Sequence, residues 1–289
     1  ERSFNNLNID KYQVEKSRKN KEKIQDEFNW FNSLPTHLKK FSPNVYGFQE
    51  ENSFSSYKMN YINGFSLSEL MLFSKLGKRQ WKTILNEVNL VIAEQKRDLP
   101  RNSENLSKNF INEIIDNKNI DRVNIIYESK FIDRRNDIFL DNHNLGNLDE
   151  IVSFLNNIVY DFESIPSFSH GDLCFSNIIY RARGNTISLI DPRGVKLNEL
   201  PIGDQRYDLA KLCHSICWGY DRVISGEIIY DKDGNSFHAP KKFFKNRNQE
   251  IIKDLIHSDE ELEILLRKDI QALTALLFIS MIPLHEDSQ

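Results

Sequence analysis

The residue types capable of chemistry concentrate in two short stretches, Ser169-His170-Gly171-Asp172-Leu173-Cys174-Phe175-Ser176-Asn177 and Leu189-Ile190-Asp191-Pro192-Arg193-Gly194. Between them, Ile178-Ile179-Tyr180 and Thr186-Ile187-Ser188-Leu189-Ile190 have strand composition. Arg183-Gly184-Asn185 has turn chemistry, so the segment predicts a hairpin. With the turn centred on Gly184, Asn177 and Asp191 lie seven residues to either side and fall opposite one another. Opposed residues in an antiparallel pair have Cβ atoms about 5 Å apart. At that spacing an amide oxygen and a carboxylate can share one hard cation such as Mg²⁺, which prefers oxygen ligands. Asp172 is then a spare carboxylate beside the cation, suited to accept a proton from a hydroxyl that attacks a metal-held phosphate. The local reading is phosphoryl transfer.

The elements upstream supply what such a site needs. Residues 3–14 predict a short hairpin with its bend near Asn5-Asn6 or Asp10-Lys11. Tyr12-Gln13-Val14-Glu15-Lys16 reads as a strand with Tyr12, Val14 and Lys16 on one face. A helical pattern runs from about Arg18 to Leu34 and is stopped by Pro35. Ile24, Glu27, Phe31 and Leu34 form one stripe of that helix. Glu27 is charged within this apolar stripe and needs a partner, because an unpaired buried charge is costly; Lys16 on the preceding strand is the natural one. The other basic residues nearby, Arg18, Lys19, Lys21 and Lys23, read as a solvated helix start. Ser53 to Ile62 predicts a strand with Tyr57, Met59 and Tyr61 on one face, and Asn63-Gly64 breaks it. Ser66 or Ser68 caps the helix that opens at Leu67.

Beyond Tyr61 the pattern is nearly all helical. Trp81 to Arg97, Asn109 to Asp116, Arg122 to Lys130 and Leu148 to Phe162 are helix candidates. Gly203 to Leu212 opens another helix running to Trp218, and Glu250 to Lys268 and Ile270 to Met281 are the last two. Asp204 and Asp208, early in their helix, have the positions of cap or dipole partners. Tyr230 to Asn235 reads as a turn around Asp233-Gly234.

Composition bounds the function. The 289 residues are 39% hydrophobic, enough for one large domain or two modest ones. A net charge of −4 argues against nucleic acid as the main partner. No apolar run is long enough to span a membrane and no signal-peptide pattern is present, which sets a soluble, cytoplasmic expectation. The three cysteines are too few and too odd for a disulfide framework. Cys213, His214 and Cys217 read as a buried helix face rather than a metal site. The chain begins at Glu1 without a methionine, so its natural start is expected upstream, with the first strand cut short.

His-Gly-Asp, four intervening residues and Asn, followed by Ile-Asp at the end of a hairpin, resembles the aminoglycoside phosphotransferase and choline kinase group of small-molecule kinases. The segments Asp191-Pro192-Arg193-Gly194, Gly203-Asp204-Gln205-Arg206-Tyr207-Asp208 and Ser280-Met281-Ile282-Pro283-Leu284-His285 look similar to a subset described as capsule-biosynthesis phosphotransferases, sometimes fused to a nucleotidyltransferase. The resemblance implies an α+β, two-lobed, protein-kinase-like fold. Residues 1–62 would form a small β-rich lobe and residues 63–289 a larger, mostly helical lobe. It implies Asp172 as catalytic base and Asn177 and Asp191 as ligands of Mg²⁺. Lys16 would grip the phosphates of ATP, or of GTP as the alternative, and Glu27 would orient Lys16. Met59, Asn60, Tyr61 and Ile62 would form the hinge that reads the base, while His170 and Asp208 would brace the catalytic loop. The acceptor is expected to be a sugar, polyol or amino alcohol held near Arg193, Tyr220, Asp221 and His285. Two departures from the wider fold matter. Ser3-Phe4-Asn5-Asn6 stands where a glycine-rich loop would be, and Pro192-Arg193-Gly194 after the second metal aspartate implies no activation switch and argues against a protein substrate. The rival expectation is a catalytically inactive nucleotide-binding module; retention of Lys16, Asp172, Asn177 and Asp191 together argues against it.

Overall fold

Alternating burial along two stretches near the start of the chain organises the first layer. The structure is a computed structural model and describes residues 6–51, 54–227, 231–238 and 246–284. Strands β1 (Asn6–Ile9) and β2 (Gln13–Arg18) form an antiparallel hairpin around Asp10-Lys11. Helix α1 (Lys21–Ser33) follows, capped by the Asn20 side chain, which accepts from Lys23 N. A short α2 (Thr36–Lys39) leads to β3 (Val45–Glu50) and β4 (Ser55–Asn60). The sheet order is β1-β2-β4-β3, with Lys16 paired to Tyr57 and Val14 to Met59. Val14, Lys16, Tyr57 and Met59 are buried, and so are Ile24, Glu27, Phe31 and Leu34, the α1 stripe set by the helical period. Tyr12 and Tyr61 lie outside the strands and are 74% and 43% exposed, so the shared apolar face is shorter at both ends than the alternation predicts.

The helical half begins with β5 (Phe65–Ser66) and α3 (Leu67–Phe73). Ser66 and Glu69 close a reciprocal capping box there. Helices α4 (Lys78–Glu94) and α5 (Ser103–Asn112) follow, then a π-helical turn at Glu113–Lys118, α6 (Asn119–Glu128), strands β6 (Phe139–Leu140) and β7 (His143–Asn144), and α7 (Leu148–Tyr160). The chemical segment is framed by β8 (Pro166–Phe168), the hairpin of β9 (Ile178–Arg181) and β10 (Thr186–Leu189), and β11 (Ile202–Asp204). It is followed by α8 (Gln205–Ile216), α9 (Tyr220–Ile224), the hairpin β12 (Asp231–Asp233) and β13 (Ser236–His238), α10 (Arg247–Ile256), α11 (Glu260–Glu263) and α12 (Lys268–Met281). The helix expected over 250–268 is broken because Asp259 caps a new start, accepting from Glu261 N. The helical half also holds more strand than the sequence suggests: β5, β9 and β10 form one small sheet, β8 pairs β11, and β13 runs parallel to β6.

One hydrophobic core passes through both halves, joining Val14, Ile24 and Tyr57 to Leu67, Trp81, Phe175, Ile178 and Leu209. Phe175, in the chemical segment itself, is fully buried and stacks on Trp81 with ring centroids 6.4 Å apart. An aromatic side chain buried this way stabilises its segment by about 2 kcal/mol, so the loop carrying Asp172 is pinned from beneath. A second cluster packs α5 to α7 against α8 and α12. Arg206, 1% exposed, holds that junction through Asp204 at 2.7 Å, Asp269 at 3.6 Å and the carbonyls of Val159 and Phe162.

Candidate active site

Lys16 is the meeting point of the two halves. Its Nζ lies 2.5 Å from Glu27 Oε2 and 2.5 Å from Asp191 Oδ1, although Lys16 and Asp191 are 175 residues apart. Burial disfavours the ammonium, but the charges of Asp191 and Glu27 outweigh it and raise its pKa, so Lys16 stays charged. Tyr57 donates its hydroxyl to Glu27 Oε2 at 3.3 Å. Lys23, one turn before Glu27 on the same helix face, reaches Glu27 Oε1 at 3.7 Å and donates to the Arg193 carbonyl at 2.6 Å. The sequence reading left Lys23 with the solvated cluster; its i,i+4 spacing from Glu27 was the available signal.

The loop after β8 is held by one carboxylate. Asp208 accepts from the backbone N–H groups of His170 and Gly171, both at 2.8 Å, from Ser169 Oγ at 3.2 Å and from Gln95 Nε2 at 2.9 Å. Burial raises its pKa, with His170 and the donors from His170, Gly171 and Gln95 opposing. Gly171 sits at φ +75° with Arg193 Cβ only 2.6 Å from where its own Cβ would stand, so this turn admits no side chain. His170 accepts the Asp172 N–H at Nδ1 (3.3 Å), and its Nε2 faces the Ile190 carbonyl at 3.1 Å, which assigns the proton to Nε2. Burial lowers its pKa against the pull of Asp208, Asp172 and Asp191, so the ring is neutral and braces the loop.

Asp172 has two partners. Asn177 Nδ2 donates to its carboxylate at 3.0 Å and to its carbonyl at 2.9 Å, and Lys211 Nζ lies 3.0 Å from Oδ1. Burial pushes the Asp172 carboxyl up, but the Lys211 charge and hydrogen bond overcome it and hold its pKa down to about 2. The same pairing raises Lys211 against the effect of burial. Lys211 escaped the sequence reading. Its signal is that every other residue of α8 is buried, so a lysine there needs a reason.

The hairpin register differs by one residue from the expectation. Arg181 pairs Thr186 and Ile178 pairs Leu189, and the Ile190 N–H donates to the Asn177 carbonyl at 3.0 Å. Asn177 is thus opposite Ile190, not Asp191. The loop spans residues 182–185 with Asn185 in the left-handed region (φ 48°), so the turn is centred before Gly184. Asp191 leaves the strand at φ 56°, an uncommon conformation for a residue other than glycine, and it turns back to Lys16. Asn177 and Asp191 still offer amide and carboxylate oxygens from adjoining positions, with the Asp191 side chain 43% exposed. Among the described residues no group of three His, Cys, Asp or Glu side chains could cage a metal. This donor set fits Mg²⁺, which takes one or two protein oxygens and completes its shell with phosphate oxygens and water.

The remaining expected residues are placed differently. The Asn60 and Tyr61 amides are engaged by the Asn44 and Tyr12 carbonyls at 3.1 and 2.8 Å, and the Met59 side chain is buried. Of the hinge residues, Ile62 keeps its N–H outside the backbone hydrogen bonds found among the described residues. Tyr220 and Asp221 are 9% and 5% exposed, not on an open face. Tyr220 stacks on His214 at 4.3 Å, and burial raises the Asp221 pKa against the Ser68 and Ser215 hydroxyls. Ser215 in turn accepts from Phe175 N at 3.3 Å, so this group supports the loop from behind. His285, the residues 3–5 and Ser53 lie outside the described residues.

The segment after Asp191 is clamped onto α1. Val195 N–H donates to the Asp26 carbonyl at 2.9 Å. A Cβ on Gly194 (φ +93°) would stand 2.7 Å from the Asp26 backbone and 2.8 Å from Glu27 N. Gly194→Ala is therefore expected to cost about 2 kcal/mol, read as a lower urea midpoint with an unaltered slope.

No family model matches the chain, and no curated protein matches its sequence. Solved structures do. A thermostable mutant of aminoglycoside phosphotransferase APH(4)-Ia is similar over 98% of this chain and 87% of its own, with a TM-score of 0.56 at 10% identity. Aminoglycoside phosphotransferase APH(3'')-Id from Streptomyces rimosus, in complex with ADP and streptomycin, is similar over 93% and 86%, with a TM-score of 0.53 at 12% identity. The chain has the fold of the aminoglycoside phosphotransferases. A β-rich first part and a helical second part are common to them, and in this chain Lys16, Asp172, Asn177 and Asp191 gather where the two parts meet. No helix among the described residues is long and apolar enough to cross a membrane.

Proposed function

We propose that this protein is a small-molecule kinase that transfers the γ-phosphoryl group of ATP to a hydroxyl of a sugar, polyol or amino alcohol. The observation that carries the reading is the ion pair of Lys16 with Asp191, beside an Asp172 held by Asn177 and Lys211. Lys16, kept charged by Glu27, neutralises phosphate oxygens. Asn177 and Asp191 would hold Mg²⁺, which supplies charge neutralisation at the phosphates when bound. Asp172 faces the acceptor hydroxyl. With a pKa near 2 it is a weak base in the resting site. Its work is then to orient the hydroxyl and take the proton late, after the acceptor oxygen has begun to bond to phosphorus and the ADP oxygen to leave. Lys211, beside Asp172, adds positive charge where negative charge accumulates.

Residues 1–62 and 63–289 act in this reading as nucleotide lobe and acceptor lobe. A place in surface-polysaccharide assembly rests on the sequence resemblance of the Asp191-Pro192-Arg193-Gly194, Gly203 to Asp208 and Ser280 to His285 segments alone. The test is a thermal-shift titration with ATP and GTP, with and without Mg²⁺, followed by ADP release on a panel of hydroxyl compounds. A binder of the folded state raises the midpoint, by about 2.7 kcal/mol of stability at a hundredfold excess over its dissociation constant. Absence of any Mg²⁺-dependent nucleotide shift would sink the proposal.

A further inference from the structure

We infer that the acceptor is an anion: a hydroxyl compound that also carries a phosphate or carboxylate group, held by Arg193. The inference rests on the kinase reading and names the acceptor class for the same site. Its basis is a run of contacts leading from the loop into the helical half. The Arg193 guanidinium lies over the Phe110 ring, 5.4 Å from its centroid. Phe110 meets Tyr207 edge-on at 5.5 Å, and Lys211 Nζ stands 6.0 Å from the Tyr207 centroid and 3.0 Å from Asp172. Two aromatic rings set edge to face, with Tyr207 buried, thus link a cation at either end, and one of those cations touches the carboxylate that faces the reacting hydroxyl.

Lys118 adds a third positive charge. It closes the π-helical turn Glu113–Lys118, directly after the α5 helix that carries Phe110. Inserted turns of this kind are frequent at functional sites. Tyr207 favours the Lys118 ammonium, but burial and the charges of Arg193, Lys211 and Arg122 together lower its pKa.

The carboxylates facing Lys211 and Arg193 leave Arg193 weakly paired. Asp172 is committed to Lys211 and Asn177. Glu113, 65% exposed, approaches Arg193 Nη2 only to 3.7 Å. Arg193 Nη1 is shielded from solvent and finds no hydrogen-bond partner among the described residues. A buried guanidinium nitrogen without an acceptor is costly, and a bound anion would satisfy it in the planar, forked geometry that suits phosphate and carboxylate. A polycationic amino sugar would instead meet like charges here.

The deciding experiment is a calorimetric titration of inorganic phosphate, and separately of acetate, into the protein saturated with Mg²⁺ and a non-hydrolysable ATP analogue that fills the nucleotide site. Phosphate or acetate is expected to bind the wild type and to lose affinity by about tenfold or more in Arg193→Gln, the size of one lost charge-assisted hydrogen bond. The anion that binds more tightly identifies the acceptor group. Neither anion binding, or Arg193→Gln binding as well as wild type, overturns the inference while the analogue titration on the same samples leaves the kinase reading standing. If the analogue itself does not bind, both fall. Turnover gives a second reading, with glucose, glucose 6-phosphate, glucuronate and glucosamine compared at equal concentration. Preference for an anionic member that collapses in Arg193→Gln supports the inference; faster transfer to glucose or glucosamine overturns it.

Discussion

Asp172→Asn is expected to lower the single-turnover rate of phosphate transfer by about 10²- to 10⁴-fold, the range for loss of a positioned proton acceptor. The amide keeps the size of the side chain and can still bond Asn177. It can neither take the hydroxyl proton nor balance Lys211, which is 13% exposed and 3.0 Å away. Nucleotide affinity measured alongside separates this chemical loss from a disturbed fold, and equal rates in the two proteins would remove Asp172 from the mechanism. The pH dependence has a definite sign. The folded-state pKa of Asp172 is depressed to about 2, so the contribution of its charge is present above the ordinary aspartate value and is lost only as pH falls toward 2. Near neutral pH the rate should therefore carry no titration of Asp172. In Lys211→Met the main downward pull is gone, and an acid limb should move up toward the working range.

Lys16→Met is expected to damage both chemistry and stability. Removing the cation leaves Glu27, whose side chain is 1% exposed, with Lys23 at 3.7 Å and the Tyr57 hydroxyl as its remaining partners. Breaking a buried ion pair by deleting one member costs about 3 kcal/mol, and losing the phosphate clamp should lower kcat on the order of 10²-fold. In the wild type the Lys16 pKa is raised, so its stabilising contribution is complete at neutral pH and is lost only as pH rises through the folded-state value above the ordinary lysine range. Burial already raises the Glu27 carboxyl in the wild type against the pull of Lys16, and in the variant it moves up further. The variant should then lie nearest to wild type in acid and fall further behind as pH rises through that raised value. Chemical denaturation across pH checks the direction, and a stability gap independent of pH would contradict it.

What could be read without coordinates was whatever a short-range rule enforces. The Lys16–Glu27 pair was legible because strand and helix periods put both side chains inward and an unpaired charge there is forbidden by cost. The Ser66 cap was legible from local chemistry. The hairpin existed as read but slipped by one residue, because Asn185 rather than Gly184 takes the left-handed position and the loop is even-numbered. Lys23, Lys211 and the Phe110–Tyr207 pair were not legible as a group. Their meaning comes from packing between α1, α5, α8 and the loop after Asp191, and no spacing along the chain encodes that proximity. The burial of Tyr220 and Asp221 was not legible for the converse reason: polar-tipped residues beside a helix start can be buried when a neighbour such as His214 supplies a stacking face.

The clamp between α1 and the Asp191 segment sets how such a protein can move. Main-chain bonding from Val195 to Asp26, the Lys23 reach to Arg193 and the side-chain-free fit of Gly194 against Asp26 fasten the helix that bears Glu27 to the strand end that bears Asp191. Swinging that helix outward would break all three at once and strand Glu27 without its lysine. Helix and strand end are therefore expected to move as one piece, so that any displacement carries Glu27 and Asp191 together.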